Sequence, residues 1–121
     1  MINFKKVIYD LLQEILPVYD TVAPQDADLP YCTFSIPLNV KNFQRDMIEL
    51  KVTIWDESTD ARDIENLADA VDHLLDRYKH YEKDVLQVSI YRTTRAEIPD
   101  PEENILRREL RFDCKTYFGT I

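Results

Sequence analysis

The stretch from residue 47 to residue 78 constrains the fold of this chain more than any other part of it. It opens with the segment MIELKVTIW, whose alternating apolar residues are Ile48, Leu50, Val52 and Ile54. Successive side chains of a β-strand point to opposite faces of the sheet, so this pattern predicts a strand with one buried face. Trp55 falls on the polar face near the strand end, where a ring with one N–H donor suits a partly buried edge.

A long amphipathic helix is predicted after this strand, over residues 60–78. The acidic turn DEST separates the two, and Ser58, Thr59 or Asp60 can cap the first free N–H groups of the helix. Apolar side chains then recur at three- and four-residue steps, at Ile64, Leu67, Ala68, Val71, Leu74, Leu75 and Tyr78. Because such a stripe is stable only when buried, we expect the helix to pack back on the sheet that its strand joins.

The rest of the chain adds one helix and further strands. The predicted elements are a helix over residues 3–16, capped by Asn3 and ended by Pro17, and strands over Val18–Asp20, Tyr31–Leu38, Val85–Arg95 and Ile105–Phe118. Together they predict an α+β fold, with a mostly antiparallel, twisted sheet in the order α-β-β-β-α-β-β and two helices packed on it. Residues 1–121 are expected to form a single domain.

The strand over Tyr31–Leu38 contains a proline that bears on its place in the sheet. Alternation puts its apolar residues on one face, namely Cys32, Phe34, Ile36 and Leu38. Pro37 cannot donate to a strand ladder, so we expect it at an edge of the sheet or at a strand end. The polar residues 39–45 then form a hairpin connection to the next strand.

The net charge of −8 is concentrated in one part of the chain. Residues 46–84 contain twelve acidic and five basic residues. Binding to nucleic acid through its phosphates needs a basic surface, so this distribution argues against that function. Two interpretations of the acidic surface stay open: a solvated helix face that keeps the protein soluble, and a surface that repels DNA.

Glycine and cysteine usage exclude several kinds of site. The single glycine, Gly119, excludes glycine-rich phosphate loops and dinucleotide fingerprints, so the turns must rely on Pro, Asp and Asn. Cys32 and Cys114 each lie in strand register with an aromatic neighbour, which favours core thiols in a reducing compartment over a disulfide. The amphipathic start of the chain is unlike a signal peptide, and no run reaches membrane-spanning length. We therefore expect a cytoplasmic protein without membrane contact.

One set of side chains has the spacing of helix-borne metal ligands. These residues are Asp69, His73, Asp76 and His80. They lie opposite the apolar stripe, where a metal site would lack walls and supporting hydrogen bonds, so we interpret them as a solvated polar face. No serine has a nucleophile motif around it, and the carboxylates of Ala96–Asn104 lie in a loop that offers no burial. The sequence therefore predicts no enzyme activity, no cofactor and no metal.

Five arginines cluster on the final two strands. They are Arg92, Arg95, Arg107, Arg108 and Arg111. Arginine binds carboxylates bidentately, so an acid-rich partner surface is expected, such as the acidic helix of a neighbouring copy. The predicted assembly interface combines the loops Asn39–Asp46 and Ala96–Asn104 with exposed arginines, and its residues are Asn39, Lys41, Arg45, Arg95, Asp100, Glu102, Arg108 and Arg111. Charge reversal at Arg108 or Arg111 is expected to weaken assembly without unfolding the monomer.

Several short motifs, in order along nearly the whole chain, resemble one known family. They are Val18-Tyr19-Asp20, Ala23-Pro24, Leu29-Pro30-Tyr31, the strand LKVTIWD over Leu50–Asp56, the helix DIENLADAVDHLL over Asp63–Leu75, and the arginine-rich RRELRF over Arg107–Phe112. In these motifs the chain resembles the tail-completion, or tail-terminator, family of long-tailed bacteriophages, of the siphophage and gene-transfer-agent type.

The resemblance implies an α+β subunit of a hexameric ring that sits on the finished tail tube. Such a ring stops tube growth and offers a docking face to the head-completion proteins, and DNA passes through its central channel without specific binding. It implies a place in the virion at the head–tail junction, reached from the host cytoplasm during assembly. Two alternatives stay open: a head–tail joining protein of the same neck, and an acidic protein-binding or DNA-mimic module.

Overall fold

The computed structural model describes residues 1–119, which form two helices and six strands. In chain order these are α1 (Ile2–Gln13), β1 (Val18–Asp20), β2 (Tyr31–Asn42), β3 (Arg45–Glu57), α2 (Arg62–Leu75), β4 (Lys79–Glu82), β5 (Leu86–Glu97) and β6 (Ile105–Phe118). The predicted α+β class is confirmed. The predicted element order is wrong at one point, because the short strand β4 lies between α2 and β5.

The strands form one sheet in the order β1-β2-β3-β6-β5-β4. β1 pairs with β2 in parallel, and the other four pairings are antiparallel. β3 and β6 lie at the centre and pair from Asp46↔Thr116 to Glu57↔Ile105. Four successive antiparallel pairings lead from β2 to β4, so β2 and β4 run in the same direction on opposite sides of the sheet.

Both helices pack on one face of this sheet. The four alternating residues predicted to lie inward in β3 are each at most 1% exposed. They contact the buried stripes of the helices, which are Phe4, Ile8 and Leu12 in α1 and Ile64, Ala68, Val71 and Leu75 in α2. Each fully buried Val, Leu, Ile or Phe side chain contributes roughly 1.5–3 kcal/mol to the stability of the fold. We call the opposite face, which carries Glu49, Lys51 and Trp55 of β3, the open face.

The course of β2 corrects one predicted core residue. A β-bulge shifts its register to β3 between Ser35 and Leu38, next to Pro37. The extra residue reverses the alternation, so Leu38 pairs with Glu49, points to the open face and is 53% exposed. Ile36 still packs against the core. Pro37 lies beyond the stretch that pairs with β1, so its predicted edge position is confirmed.

Both helices are shorter than predicted. α1 begins after Met1 and ends at Gln13, and Asn3 lies inside it rather than at its cap. α2 ends at Leu75, after which Arg77 takes a positive φ of 66° and the chain turns into β4. At the start of α2 the N-cap is Ala61 and not one of the predicted residues, although the Asp60 carboxylate accepts a hydrogen bond from the Arg62 backbone N–H at 2.9 Å. Neither helix of the described chain is long and apolar enough to cross a membrane.

The turns contain the expected Pro, Asp and Asn, as in the turn over residues 24–27, where the Ala27 N–H donates to the Pro24 carbonyl, but most positive-φ positions carry other residues. Positive φ values occur at Thr21, Phe43, Arg77 and Asp84, of which only Asp84 fits that expectation. The hairpin predicted as a loop over 39–45 is strand almost throughout, and only Phe43 and Gln44 separate β2 from β3. Phe43 at this tip has a φ of 56° and is 94% exposed.

Candidate functional site

Three arginines of β5 and β6 hold α2 to the sheet, and we call this set the arginine clamp. Its central member is Arg108, whose Nε donates to the Glu65 carboxylate of α2. Arg95 joins the same carboxylate through Nη2 at 2.9 Å and reaches Asp69 through Nη1 at 2.7 Å. The hydrogen bond from Arg108, followed by the charges of both guanidiniums, lowers the pKa of Glu65 below its ordinary value. Glu65 is therefore held ionised between the helix and two strands.

The clamp continues toward the C-terminal end of α2. Arg92, its third member, contacts Asp72 through Nε at 2.9 Å. The backbone N–H of the same arginine donates to the Asp76 carboxylate at 2.9 Å. Four acids of the helix region are thus bound by the chain's own final strands, which leaves the helix much less acidic toward a partner than its composition indicates.

These contacts correct the predicted role of the arginines. Arg92, Arg95 and Arg108 pair with the helix of their own chain, not with that of a neighbouring copy. Arg108 is 6% exposed, so the expectation that it is an exposed interface residue is wrong. A signal for this was present in the sequence, because Arg108 has the same strand parity as the inward residues Leu110 and Phe112.

The predicted polar stripe of possible metal ligands does not exist as such. His80 lies in β4 rather than in α2, because the helix ends at Leu75. Asp69 binds Arg95, and Asp76 accepts from the Arg92 backbone. His73 remains exposed on the helix. Among residues 1–119, no group of three or more potential ligands has a metal-binding arrangement.

Asp100 and Arg107 build a second polar cluster, at the start of β6. The Asp100 carboxylate accepts from Arg107 Nη2 at 2.6 Å and from the Glu102 backbone N–H at 3.0 Å. The backbone hydrogen bond and the arginine together lower the pKa of Asp100. Arg107 also stacks over the Trp55 ring, 5.4 Å from its centroid. Asp100 is thereby occupied within its own chain, whereas Glu102 is exposed at the loop surface.

An aromatic row extends this cluster across the open face. The Trp55 ring lies 5.3 Å from Tyr31, whose centroid is 5.8 Å from that of Tyr19. Four residues further along β6, on the same face, Arg111 forms ion pairs with Glu49 and Glu109 and stays half-exposed. The open face therefore carries compensated charges and aromatic rings rather than one sign of charge.

The remaining predicted interface residues lie on the β2–β3 hairpin. Asn39 and Lys41 are exposed on the edge strand β2, and Asn39 donates to Asp46 at 3.2 Å. Arg45 is half-buried at the start of β3. The 13 residues of β3 separate this hairpin from the loop over 98–104, a distance of roughly 40 Å at about 3.3 Å per residue. The predicted interface is thus divided between opposite ends of the sheet.

Both lateral sides of the sheet end in free strand edges. β1 pairs only with Cys32–Phe34, so within the described chain residues 35–42 of β2 have a neighbouring strand on one side only. β4 forms the other side and, among residues 1–119, pairs only with β5. Exposed apolar side chains lie on both edges: Leu38 and Val40 on β2, and Tyr81 on β4. Sequence reasoning missed the β4 edge because it continued the polar stripe of the helix through His80, which lies in β4.

The two cysteines are core residues, as predicted. Cys32 and Cys114 are free and fully buried. Burial raises the pKa of each thiol to about 12. They are therefore packing residues and not nucleophiles at neutral pH.

No protein-family model matches the chain, and no curated protein sequence is significantly similar to it.

Proposed function

We propose that this chain is a structural subunit of a tail-completion, or tail-terminator, ring of a long-tailed bacteriophage or gene transfer agent. Six copies form a ring on the end of the tail tube, stop its growth and offer a docking face to the head-completion proteins. DNA passes through the central channel without specific binding. The subunit performs no catalysis, holds no cofactor, and acts at the head–tail junction of the virion after assembly in the host cytoplasm.

The observation that carries this proposal is the pair of free edges on opposite sides of one sheet. The edges of β2 and β4 are two different surfaces of the subunit, so a contact between β2 of one copy and β4 of the next joins the copies head to tail. Heterologous contacts of this kind close into rings when the rotation per step divides a full turn. The motifs that resemble the tail-terminator family supply the sixfold number and the position on the tail.

The two alternatives differ in how well they are supported. A head–tail joining protein of the same neck would use the same edges and differ in its partner, binding the head side instead of the tube end. An acidic DNA mimic needs unpaired carboxylates, and Glu65, Asp69 and Asp72 are engaged by arginines of their own chain. Neutralising Asp69, Asp72 and Asp76 would abolish binding by a DNA mimic, whereas a ring subunit keeps its partners.

The proposal is tested by mass and by tube length. The purified chain is measured by multi-angle light scattering, alone and with the tail-tube protein, and tube ends are imaged by electron microscopy. We expect particles of six times the monomer mass, and tubes that stop growing when the protein is added. A protein that stays monomeric in the presence of the tube protein and leaves tube length unchanged would refute the proposal. Binding to the connector side alone would favour the head–tail joining alternative.

A further inference from the structure

The free edges expose backbone groups at definite residues. Cys32 N–H donates to the Pro17 carbonyl, so at that end of β2 the backbone groups of alternate residues face away from β3. The bulge reverses this alternation, and the two-residue turn at Phe43 and Gln44 makes Asn42 and Arg45 the closing pair. The backbone N–H and C=O groups of Asn39 and Lys41 therefore point outward from the sheet.

The same reasoning applies to β4. Ile90 N–H donates to the Tyr78 carbonyl, so the backbone groups of Tyr78 face β5. Those of Lys79 and Tyr81, at the odd positions of the strand, point outward. Each edge thus offers a short row of unpaired donors and acceptors, which is a template for one added strand.

The side chains at the two edges are complementary. On the open face, Leu38 and Val40 of β2 are 53% and 48% exposed, and Tyr81 of β4 is 71% exposed. On the helix side of the sheet, β2 presents the exposed base Lys41 and β4 presents the exposed acid Glu82. If the two edges join, Tyr81 and the exposed Lys79 of β4 meet Leu38 and Val40 on the open face, and Glu82, whose carboxylate lies 3.5 Å from His80 Nε2, meets Lys41 on the helix side.

We propose that residues 38–42 of β2 pair in parallel with β4 (Lys79–Glu82) of a second copy of this chain. Tyr81 of that copy then covers Leu38 and Val40, and its Glu82 reaches Lys41. The parallel sense is the one in which β2 and β4 run within the sheet, since four antiparallel pairings separate them. The inference rests on the proposed ring and specifies which surfaces close it.

Pairing of β2 with the β2 of a second copy is the main competing arrangement. It would place Val40 opposite Val40 and Lys41 opposite Asn39, without like charges in contact. However, it leaves Tyr81 exposed and the β4 edge unpaired, and its twofold symmetry ends assembly at a dimer. The head-to-tail arrangement covers both edges and is therefore the one we adopt.

Engineered cysteines distinguish these arrangements, because the natural thiols Cys32 and Cys114 are fully buried. The variants are Val40→Cys with Tyr81→Cys, the neighbouring register Leu38→Cys with Tyr81→Cys, and Val40→Cys alone. After mild oxidation of the full chain, non-reducing gels should show a ladder up to a closed hexamer for at least one double variant. Val40→Cys alone should give no covalent product.

The possible failures of this experiment have different meanings. A covalent dimer from Val40→Cys alone would overturn the inference in favour of β2–β2 pairing. Hexamers seen by light scattering without a cross-link in either double variant would overturn the inference and leave the ring proposal standing. Monomers throughout, with the tube protein present, would refute both.

A charge exchange tests the helix side of the same contact. Lys41→Glu and Glu82→Lys should each weaken association by about tenfold, because each places like charges together. The double variant should recover most of this loss, as expected for residues in direct contact. Lys6→Glu, an exposed residue of α1, is the matched control and should leave association unchanged. Failure of the double variant to recover would contradict the Lys41–Glu82 contact.

Discussion

Replacement of Arg108 tests the most direct correction that the structure makes. Its guanidinium donates to Glu65 through Nε and to the Arg107 carbonyl through Nη1 at 3.0 Å, in a position that is 6% exposed. Arg108→Met keeps the unbranched stem in the core and removes the charge. Arg108→Glu places a carboxylate in the same buried position, opposite Glu65 and near Glu97.

The expected losses follow from the partners that remain. A hydrogen bond to a charged group contributes about 1.5–3 kcal/mol, and breaking a fully buried ion pair costs about 3–5 kcal/mol. Glu65 is partly exposed and keeps Arg95 as a partner, so the lower range applies to Arg108→Met, about 2 kcal/mol. Arg108→Glu adds repulsion and an unpaired buried charge, so we expect at least about 4 kcal/mol. Domains of this size have only about 5–15 kcal/mol of stability, so the second variant approaches unfolding.

Urea unfolding followed by circular dichroism measures these losses. With a slope of about 1.5 kcal/mol per molar urea, the midpoint should fall by about 1.3 M for Arg108→Met and by more than 2 M for Arg108→Glu. Arg62→Glu removes an ion pair with Asp60 that lies at the surface; such pairs contribute only about 0–1 kcal/mol and a negative charge suits this end of the helix, so the midpoint should change by no more than about 0.7 M. An Arg108→Glu protein as stable as the wild type would refute the ion pair between the buried Arg108 and Glu65. It would then restore Arg108 as a candidate interface residue.

Three further predictions follow from the described contacts. The pKa of Glu65 is lowered in the folded state, so the stability that Glu65 contributes is complete above its unfolded pKa and is lost as pH falls through its folded pKa. The urea midpoint should therefore decrease once the pH is lowered below about 4.3, and Glu65→Gln should make this decrease smaller. Cys32 and Cys114 should resist a thiol reagent at pH 8 in the native protein and both react in urea, and rapid native labelling would contradict their burial. Phe43→Asn should raise the free energy of unfolding by about 0.5–1 kcal/mol, since asparagine tolerates a positive φ better than phenylalanine, and a lower urea midpoint would contradict this.

The arginine clamp also changes how the charge of the chain should be interpreted. From composition, residues 46–84 form a strongly acidic surface and the final strands a basic one. In the fold, arginines of β5 and β6 form ion pairs with four of the twelve acids of residues 46–84, Glu49, Glu65, Asp69 and Asp72, because α2 packs over β5 and β6 and β3 pairs with β6. Complementary charge within one sequence therefore indicated a real contact, but an intramolecular one.

The elements that the sequence determined by itself are those that depend on local periodicity. The inward residues of β3, β5 and β6 and the apolar stripe of α2 follow from periods of two and 3.6, which need no knowledge of distant partners. The same holds for the edge position of Pro37, since a missing N–H is a property of the residue alone.

Only the tertiary structure decided the bulge in β2, the strand β4 and the partners of the arginines. Tyr78 continues the apolar stripe of α2 in the sequence. Its carbonyl, however, accepts a hydrogen bond from the Ile90 N–H of β5, so Tyr78 lies beside the sheet and not in the helix. Strand parity places Arg108 on the helix side of the sheet, but Glu65 is 43 residues away, and no local pattern identifies it as the partner. Periodicity specifies which face a side chain takes, whereas the partner on that face depends on how distant segments pack.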